Sequence, residues 1–382
     1  MIYLDNAATT YPKPEKVIET INFHLRNLGG STGRGQSQWA IEISRKVYDV
    51  RTKVAQLLGV NDPLRVIFTY NATYAINMVL KGLLKPGDRV ILSSMEHNAV
   101  VRPLRNLEKR GVELVFIPCN AEGVINLDTL RNQARQGAKL ITVLGASNVS
   151  GTIQPIAEIG KISYDNDILF LVDGAQLAGF EPVEIDNWHI DAFAFTGHKG
   201  FYGPQGTGGV VLSSRLASLL EPLIEGGTGS KSEEEYQPVF LPDKFESGTL
   251  NSTGIIGLGA GIDFLLENGM DTIASHERML RDYLIENLEM EKSINMFGLL
   301  DSQKTTGILS FNVKNQDIST ITNILDRVYG IMVRGGLHCS PLAHKTLGSF
   351  PYGTIRCSFS HFNTQDELLY FSQSLKEILR RG

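Results

Sequence analysis

The stretch DAFAFTGHKGFYGPQGTGG, residues 191–209, decides how this chain is read. Apolar residues 192–195 form a short strand pattern that stops at Thr196-Gly197-His198-Lys199. Five glycines follow within ten residues, which suggests a flexible loop. The ordinary reading of such an end is a polar turn with a solvated lysine. The segments on either side argue for more.

Working outward, strand patterns occupy 64–70, 89–94, 112–119, 139–148 and 167–175. Helical patterns at 73–84, 98–111 and 154–166 lie between them. Near-continuous apolar strands alternating with helices predict an α/β fold whose mainly parallel sheet is covered on both faces. Beyond about residue 260 the pattern changes. Helices are expected at 261–269, 271–290, 317–330 and 364–381, the last capped by Thr364. More openly alternating strands are expected at 306–313 and 352–360. This predicts a large α/β domain over 15–258 and a smaller α+β unit made of 1–14 with 259–382. The boundary falls in glycine-rich GTLNSTGIIGLGAGI, residues 248–262.

Composition narrows the partners. The 382 residues are 42% hydrophobic and 20% charged, with a net charge of -5 and no block of like charge. Nucleic acid and anionic membranes are therefore not natural partners. Cys119, Cys339 and Cys357 are too few and too scattered for a disulfide framework or a zinc site, so no metal is expected and a reducing cytoplasm fits. The opening MIYLDNAATTYPKPEKV lacks a signal-peptide pattern, and no run of about 18 uncharged apolar residues predicts a membrane span.

In parallel sheets, ligands bind outside the carboxyl ends of the strands. Those ends carry Asn71-Ala72-Thr73, Glu96-His97-Asn98, Ser147-Asn148, Asp173 with Gln176, and Thr196 with His198-Lys199. A lysine amine can form an imine with an aldehyde. A carboxylate can hold a protonated ring nitrogen, an imidazole can cover an aromatic ring, and a helix N-terminus suits phosphate. Singly, Asp173 could be a helix cap, His97 a satisfied core histidine and Thr73 an N-cap. Together they describe a pyridoxal phosphate site. GPQGTGG is not a phosphate loop of the Gly-Lys-Ser/Thr type. The strand at 64–70 is followed by NATYAIN rather than Gly-x-Gly-x-x-Gly, which argues against a dehydrogenase.

The sequence resembles class V aminotransferase-fold enzymes of the cysteine desulfurase and selenocysteine lyase group. The resemblance runs nearly end to end, through YLDNAATT, NATYAIN, MEHNAVVRP, SNVSGT, VDGAQ, TGHKGFYGPQGTG, FESGTLN, VRGGLHCSP and GTIRCSFSHFNT. It implies a type I pyridoxal phosphate-dependent transferase fold. It implies that Lys199 carries the cofactor and moves the Cα proton, that Asp173 pairs with the pyridine nitrogen, and that His97 stacks on the ring in a catalytic position. Asn148 and Gln176 would lie at the phenolic oxygen. Ala72, Thr73, Thr196 and His198 would seat the phosphate, with Thr249 arriving from the second subunit of a homodimer. Arg356 would hold the substrate carboxylate, with Asn6, Ala7, Arg34, Asn148 and Arg334 around the substrate. One departure stands out. In STGRGQSQ, Gly33 precedes Arg34 where close relatives often carry a histidine.

The cysteines select the reaction. Cys357 neighbours Arg356 in alternating TIRCSFS, so the two point to opposite faces and Cys357 is structural if Arg356 faces the pocket. Cys119 closes an apolar strand and reads as a packed thiol. Cys339 lies in RGGLHCSPLAHK, where Arg334, His338 and His344 are candidate neighbours that would raise its thiolate fraction. The expectation is a cysteine desulfurase. It would convert L-cysteine to L-alanine, leave a persulfide on Cys339, and pass that sulfur to an acceptor protein. Selenocysteine lyase or a related β-lyase acting on L-selenocysteine is the enzymatic alternative. A non-catalytic scaffold would lack Lys199, Asp173 or Arg356, and all three are present.

Overall fold

The computed structural model describes residues 1–33, 35 and 37–381. The chain opens on strand β1 (Ile2–Tyr3), then helices α1 (Glu15–Asn27) and α2 (Gln38–Leu57). Seven strands build the central sheet: β2 (Val66–Thr69), β3 (Arg89–Ser93), β4 (Glu113–Ile117), β5 (Leu140–Leu144), β6 (Leu169–Asp173), β7 (Ala192–Thr196) and β8 (Gly208–Leu212). Helices α3 (Ala72–Leu83), α4 (Asn98–Glu108), α5 (Leu127–Ala134), α6 (Ile156–Asp165) and α7 (Ser214–Leu219) accompany them. The strand order is β2-β8-β7-β6-β5-β3-β4. Strands β3 to β7 pair in parallel, while β8 runs against both β2 and β7. The end of β2 therefore lies on the same sheet edge as the ends of β3, β5, β6 and β7.

The apolar runs are explained by burial on two sides. Phe193, Phe195, Phe170, Val172, Ile141 and Val143 pack into one core. Their neighbours Ala192, Ala194, Leu169, Leu171 and Leu140 pack into a second. Period-two alternation thus persists with both faces dry, which is how a sheet covered by helices on each side reads as a continuous apolar run.

One expectation needs correction. Residues 200–209 are not wholly loop, because Gly208 and Gly209 open β8. A Cβ on Gly208 would stand 2.8 Å from the Asn71 Cα. Glycine is therefore the residue that lets β8 slip between β2 and β7 beside the start of α3.

The second unit holds α8 (Ser252–Asn268), α9 (Met270–Leu288), β9 (Ile294–Phe297), β10 (Ile308–Val313), α10 (Ile318–Tyr329), β11 (Ile331–Met332), β12 (Arg334–Gly336), α11 (Pro341–Leu347), β13 (Thr354–Ser358) and α12 (Gln365–Arg381). Its antiparallel sheet runs β12-β13-β10-β9, and β1 pairs with β11. Thr364 and Glu367 form a reciprocal cap at the start of α12: the Glu367 N–H donates to Thr364 Oγ1 at 3.3 Å, and the Thr364 N–H to Glu367 Oε2 at 3.1 Å. The sequence places the change of unit at 258/259. Core membership changes further on, since α8 and Ile273 pack into the large core and Leu280, Leu284 and Leu288 into the small one. We propose that the two units join along α9.

A buried ion pair ties the segment carrying Thr249 to the large domain. Arg51 and Glu246, each about 5% exposed, meet through two bonds of 2.8 Å. Glu246 also accepts the Phe68 N–H at 2.7 Å. Arg51→Met keeps the apolar stem but leaves a buried carboxylate without its cation. Urea unfolding is expected to show a loss of about 3 kcal/mol. A loss below about 1 kcal/mol would mean that Glu246 finds water or a proton instead.

Candidate active site

A pocket with about 530 Å³ of open space lies at the carboxyl edge of the central sheet. It is lined by Ala72, Thr73, His97, Asn148, Asp173, Gln176, Thr196, His198 and Lys199, so nine predicted residues from five strand ends converge. Convergence of several polar groups on one concave pocket is what a small-ligand site needs.

Lys199 follows β7 in a turn fastened to the N-terminal segment. The His198 carbonyl accepts the Thr10 N–H and the Lys13 ammonium, both at 3.0 Å. Burial pulls the Lys199 amine down to about 8, with the Asp173 carboxylate opposing and the Arg356 and Arg334 guanidinium groups assisting. Asp173 ends β6, is buried, and accepts the Ala175 N–H at 3.1 Å. Gln176 donates to the Ala7 carbonyl at 2.9 Å.

His97 is the N-cap of α4, and its Nδ1 accepts the Ala99 N–H at 3.0 Å. The neutral ring therefore carries its proton on Nε2. Burial lowers its proton affinity, against the pull of Asp173. Glu96 is a feature the sequence reading left without a role. It is fully buried and pushed up to about 8 by burial, although Ser93 Oγ at 2.5 Å and the Leu144 N–H at 3.0 Å both donate to its Oε1. A neutral carboxyl thus lies close enough to Asp173 to feel its charge.

At the other end of the pocket, α3 presents its first turn, where backbone N–H groups have no helical partner. The buried Nδ1 of His198 has no hydrogen-bond partner, and burial holds that ring down at about 4. Thr196 Oγ1 reaches only the Thr207 carbonyl, at 3.5 Å. This end is neutral and rich in donors, which suits an anion.

Arg356 of β13 is about 1% exposed. Its Nη1 donates to the Asn148 carbonyl at 2.8 Å and its Nη2 to Asp5 Oδ1 at 2.6 Å, while the buried Nε has no partner. Arg334 stands opposite Arg356 in the β12–β13 register. Asp5 was missed from sequence, although it sits in the YLDNAATT motif. Asn6 and Ala7 lie nearby with their polar groups already taken. Asn6 Nδ2 donates to the Ser358 carbonyl and Asn363 Oδ1, and its Oδ1 accepts the Tyr11 N–H. The Ala7 N–H donates to Ser358 Oγ. Asn6 and Ala7 line an adjacent cavity that shares Gln176 and Lys199 with the pocket. Arg34 lies outside the described residues.

Cys339 is exposed, and the other thiols are not equivalent. Cys357 is fully buried in the small core, with burial raising its thiol far above the ordinary range. Cys119 is half-buried, and its thiol is pushed up to about 11 by burial. The two histidines offered as cationic neighbours of Cys339 need correction. His338 and His344 are buried, and burial holds both rings neutral at neutral pH. Of the three candidates only Arg334 carries charge there. Thr249 is not in this pocket. It lines a separate groove with Tyr70, Tyr74 and Asn251.

Comparison with known proteins identifies the family. The family model for aminotransferase class-V matches residues 2–371. A probable cysteine desulfurase of Methanothermobacter thermautotrophicus is 36% identical over 385 residues, covering 100% of this chain and 95% of that protein. A cysteine desulfurase of Escherichia coli O157:H7 is 32% identical, covering 100% of this chain and 94% of that protein. Among solved structures, the apo cysteine desulfurase of Thermococcus onnurineus superposes with a TM-score of 0.94 at 32% identity, covering 100% of this chain and 95% of that one. With a matching fold, a full-length family match and the expected strand-end residues gathered in one pocket, the chain belongs to the aminotransferase class-V family.

Proposed function

We propose that the protein is a pyridoxal phosphate-dependent cysteine desulfurase, which moves sulfur from L-cysteine to Cys339 and releases L-alanine. One observation carries this reading. An exposed cysteine stands on a loop hydrogen-bonded to Asn98 and to the pocket residue Asn148, beside the buried Arg356.

The residues fit the cofactor. The unpaired His198 Nδ1 and the first-turn N–H groups of α3 suit its phosphate, with Thr73 and Thr196 adding hydroxyls. Asp173 suits its ring nitrogen, His97 its ring face, and Asn148 and Gln176 its phenolic oxygen. The Lys199 amine suits its aldehyde. When bound, the cofactor supplies an electron sink for the pair left at Cα on loss of its proton.

The chain's own groups do the rest. Arg356 offers its free Nε–H to the substrate carboxylate, and its bond to the Asn148 carbonyl fixes the direction of that contact. Lys199, with an amine that exchanges protons near neutrality, takes the Cα proton and returns one. The Cys339 thiolate attacks the substrate sulfur. An S–S bond forms as the Cβ–S bond breaks, and the electron pair stays with Cβ. A proton then completes the methyl group of alanine. The sulfur is oxidised by the two electrons that Cβ gains, so no external oxidant enters. The persulfide must then pass to a nucleophilic acceptor thiol.

Thr249 would complete the phosphate site of a second subunit, and the working unit is then a homodimer; its place outside its own chain's pocket supports that reading. Three free cysteines and a persulfide fit a reducing cytoplasm. Among the described residues no helix is long and apolar enough to cross a membrane.

The deciding experiment incubates the cofactor-loaded protein with L-cysteine and a thiol acceptor. Alanine and sulfide in equal amounts are expected. Pyruvate in place of alanine would reassign the enzyme to β-elimination. The cofactor-capturing step has its own pH signature. Only the neutral Lys199 amine attacks an aldehyde, and with its proton lost at about 8, about a tenth is neutral at pH 7. The rate at which cofactor-free protein captures pyridoxal phosphate, followed by absorbance, is expected to rise about tenfold from pH 7 and level off above pH 9. A rate still climbing through pH 10 would mean an ordinary, solvated lysine.

A further inference from the structure

We propose that Asn148 and Ser340 clamp Cys339 in its attacking position and couple it to the substrate-carboxylate site; this rests on Cys339 being the sulfur nucleophile. Four observations lead here. First, His338 and Cys339 are consecutive non-glycine residues in the left-handed region, with φ of 48° and 58°. That backbone is costly for side-chain-bearing residues and persists only where the surroundings dictate it. Second, the surroundings do dictate it. The Asn148 Nδ2 donates to the His338 carbonyl at 2.7 Å, the Asn98 N–H donates to the Cys339 carbonyl at 2.9 Å, and the His338 ring bonds to Thr354.

Third, Ser340 is the N-cap of α11, yet its hydroxyl does not cap the helix. It donates instead to Asn148 Oδ1 at 2.7 Å, fully buried. Serine at an N-cap ordinarily serves the N–H groups of the first turn, and here that use is given up. Fourth, the Asn148 carbonyl accepts from Arg356 Nη1 at 2.8 Å. One residue therefore grips both flanks of Cys339 with its side chain and the carboxylate-binding arginine with its backbone. Ser340 is a positioning residue, acting through Cys339, and Asn148 adds that role to its place at the cofactor.

Ser340→Ala removes one arm of the clamp and does not line the pocket. Three readouts are compared with wild type. Alanine formation from L-cysteine is expected to lose about tenfold in kcat with KM within twofold. Chloride release from L-β-chloroalanine needs Cα proton removal but no thiol, and is expected to stay within twofold. In the cofactor-free protein, alkylation of Cys339 by iodoacetamide, with modified sites identified by mass, is expected to change at least threefold as the loop leaves its fixed conformation. Asn148→Asp puts an anionic oxygen against the His338 carbonyl and is expected to change alkylation further. Adding Ser340→Ala to Asn148→Asp should then change it by less than the two single effects combined, since both arms run through the side chain at 148. Wild-type alkylation in both single variants overturns the clamp, as does a fall in sulfur transfer matched by an equal fall in chloride release. If wild-type enzyme releases chloride but forms no alanine, the desulfurase reading fails, and the alkylation comparison still decides whether the clamp exists.

Discussion

Cys339→Ala is expected to abolish alanine formation from L-cysteine, a fall of at least about a thousandfold in kcat, with cofactor retention and thermal unfolding unchanged. The size of the effect follows from the absence of a substitute. Cys357 is sealed in the small core and its thiol resists ionisation. Cys119 is half-buried with its thiol at about 11, so it is almost wholly protonated at neutral pH. Loss of the Cys339 thiol therefore leaves the substrate sulfur without an attacking group, while Lys199, Asp173 and Arg356 stay in place. Cys339 is also exposed, so its replacement removes no buried packing and makes no cavity. Alanine is quantified by chromatography, and bound cofactor by absorbance in the same samples. Activity above about a tenth of wild type would remove Cys339 from the nucleophile's role. Loss of cofactor along with activity would point to loop collapse rather than missing chemistry.

The legibility of this site in the sequence follows a physical divide. Strand ends are legible because a sheet covered on both faces demands apolar runs, and polar residues at their carboxyl ends mark where the cover stops. Asn71, His97, Asn148, Asp173 and Lys199 all stand at or just past such ends, and all five line the pocket. Glycine hides regular structure in two places. Gly208 and Gly209 read as loop and form a strand, because their missing Cβ atoms admit a neighbouring backbone. The glycine-rich run at 248–262, where the sequence places the domain boundary, carries helix α8 from Ser252 onward. There a Cβ on Gly261 would stand 2.7 Å from the Gly203 nitrogen, and one on Gly257 2.7 Å from Ile21 Cγ1. Those glycines buy close packing at the cost of helix propensity. Charge state was not legible either. His338 and His344 look cationic in a basic-looking loop, and only their burial shows that they are neutral. The Ser340 hydroxyl stands at a helix start, and only its geometry shows that it serves Asn148.

Arg356→Gln is expected to lower kcat/KM for L-cysteine by about two to three orders of magnitude, mostly through KM. Arg356 and Arg334 are direct cross-strand partners. Like charges placed opposite each other destabilise a sheet, and among the described residues the one carboxylate bonded to Arg356 is Asp5. A substrate carboxylate meeting the unpaired Nε–H relieves that imbalance, so binding energy and sheet electrostatics act in the same direction. Glutamine keeps a donor for the Asn148 carbonyl but supplies neither the charge nor the forked geometry. A second effect reaches the cofactor site. Arg356 is one of the charges that hold the Lys199 amine down. Without it the amine keeps its proton to higher pH, and the bend in the cofactor-capture profile moves upward from its wild-type position. Steady-state kinetics and the capture profile, measured on one preparation, test both parts. A raised KM with an unmoved bend would confine Arg356 to substrate binding. An upward bend with unchanged KM would show that its charge acts on Lys199 alone, and that another group holds the carboxylate.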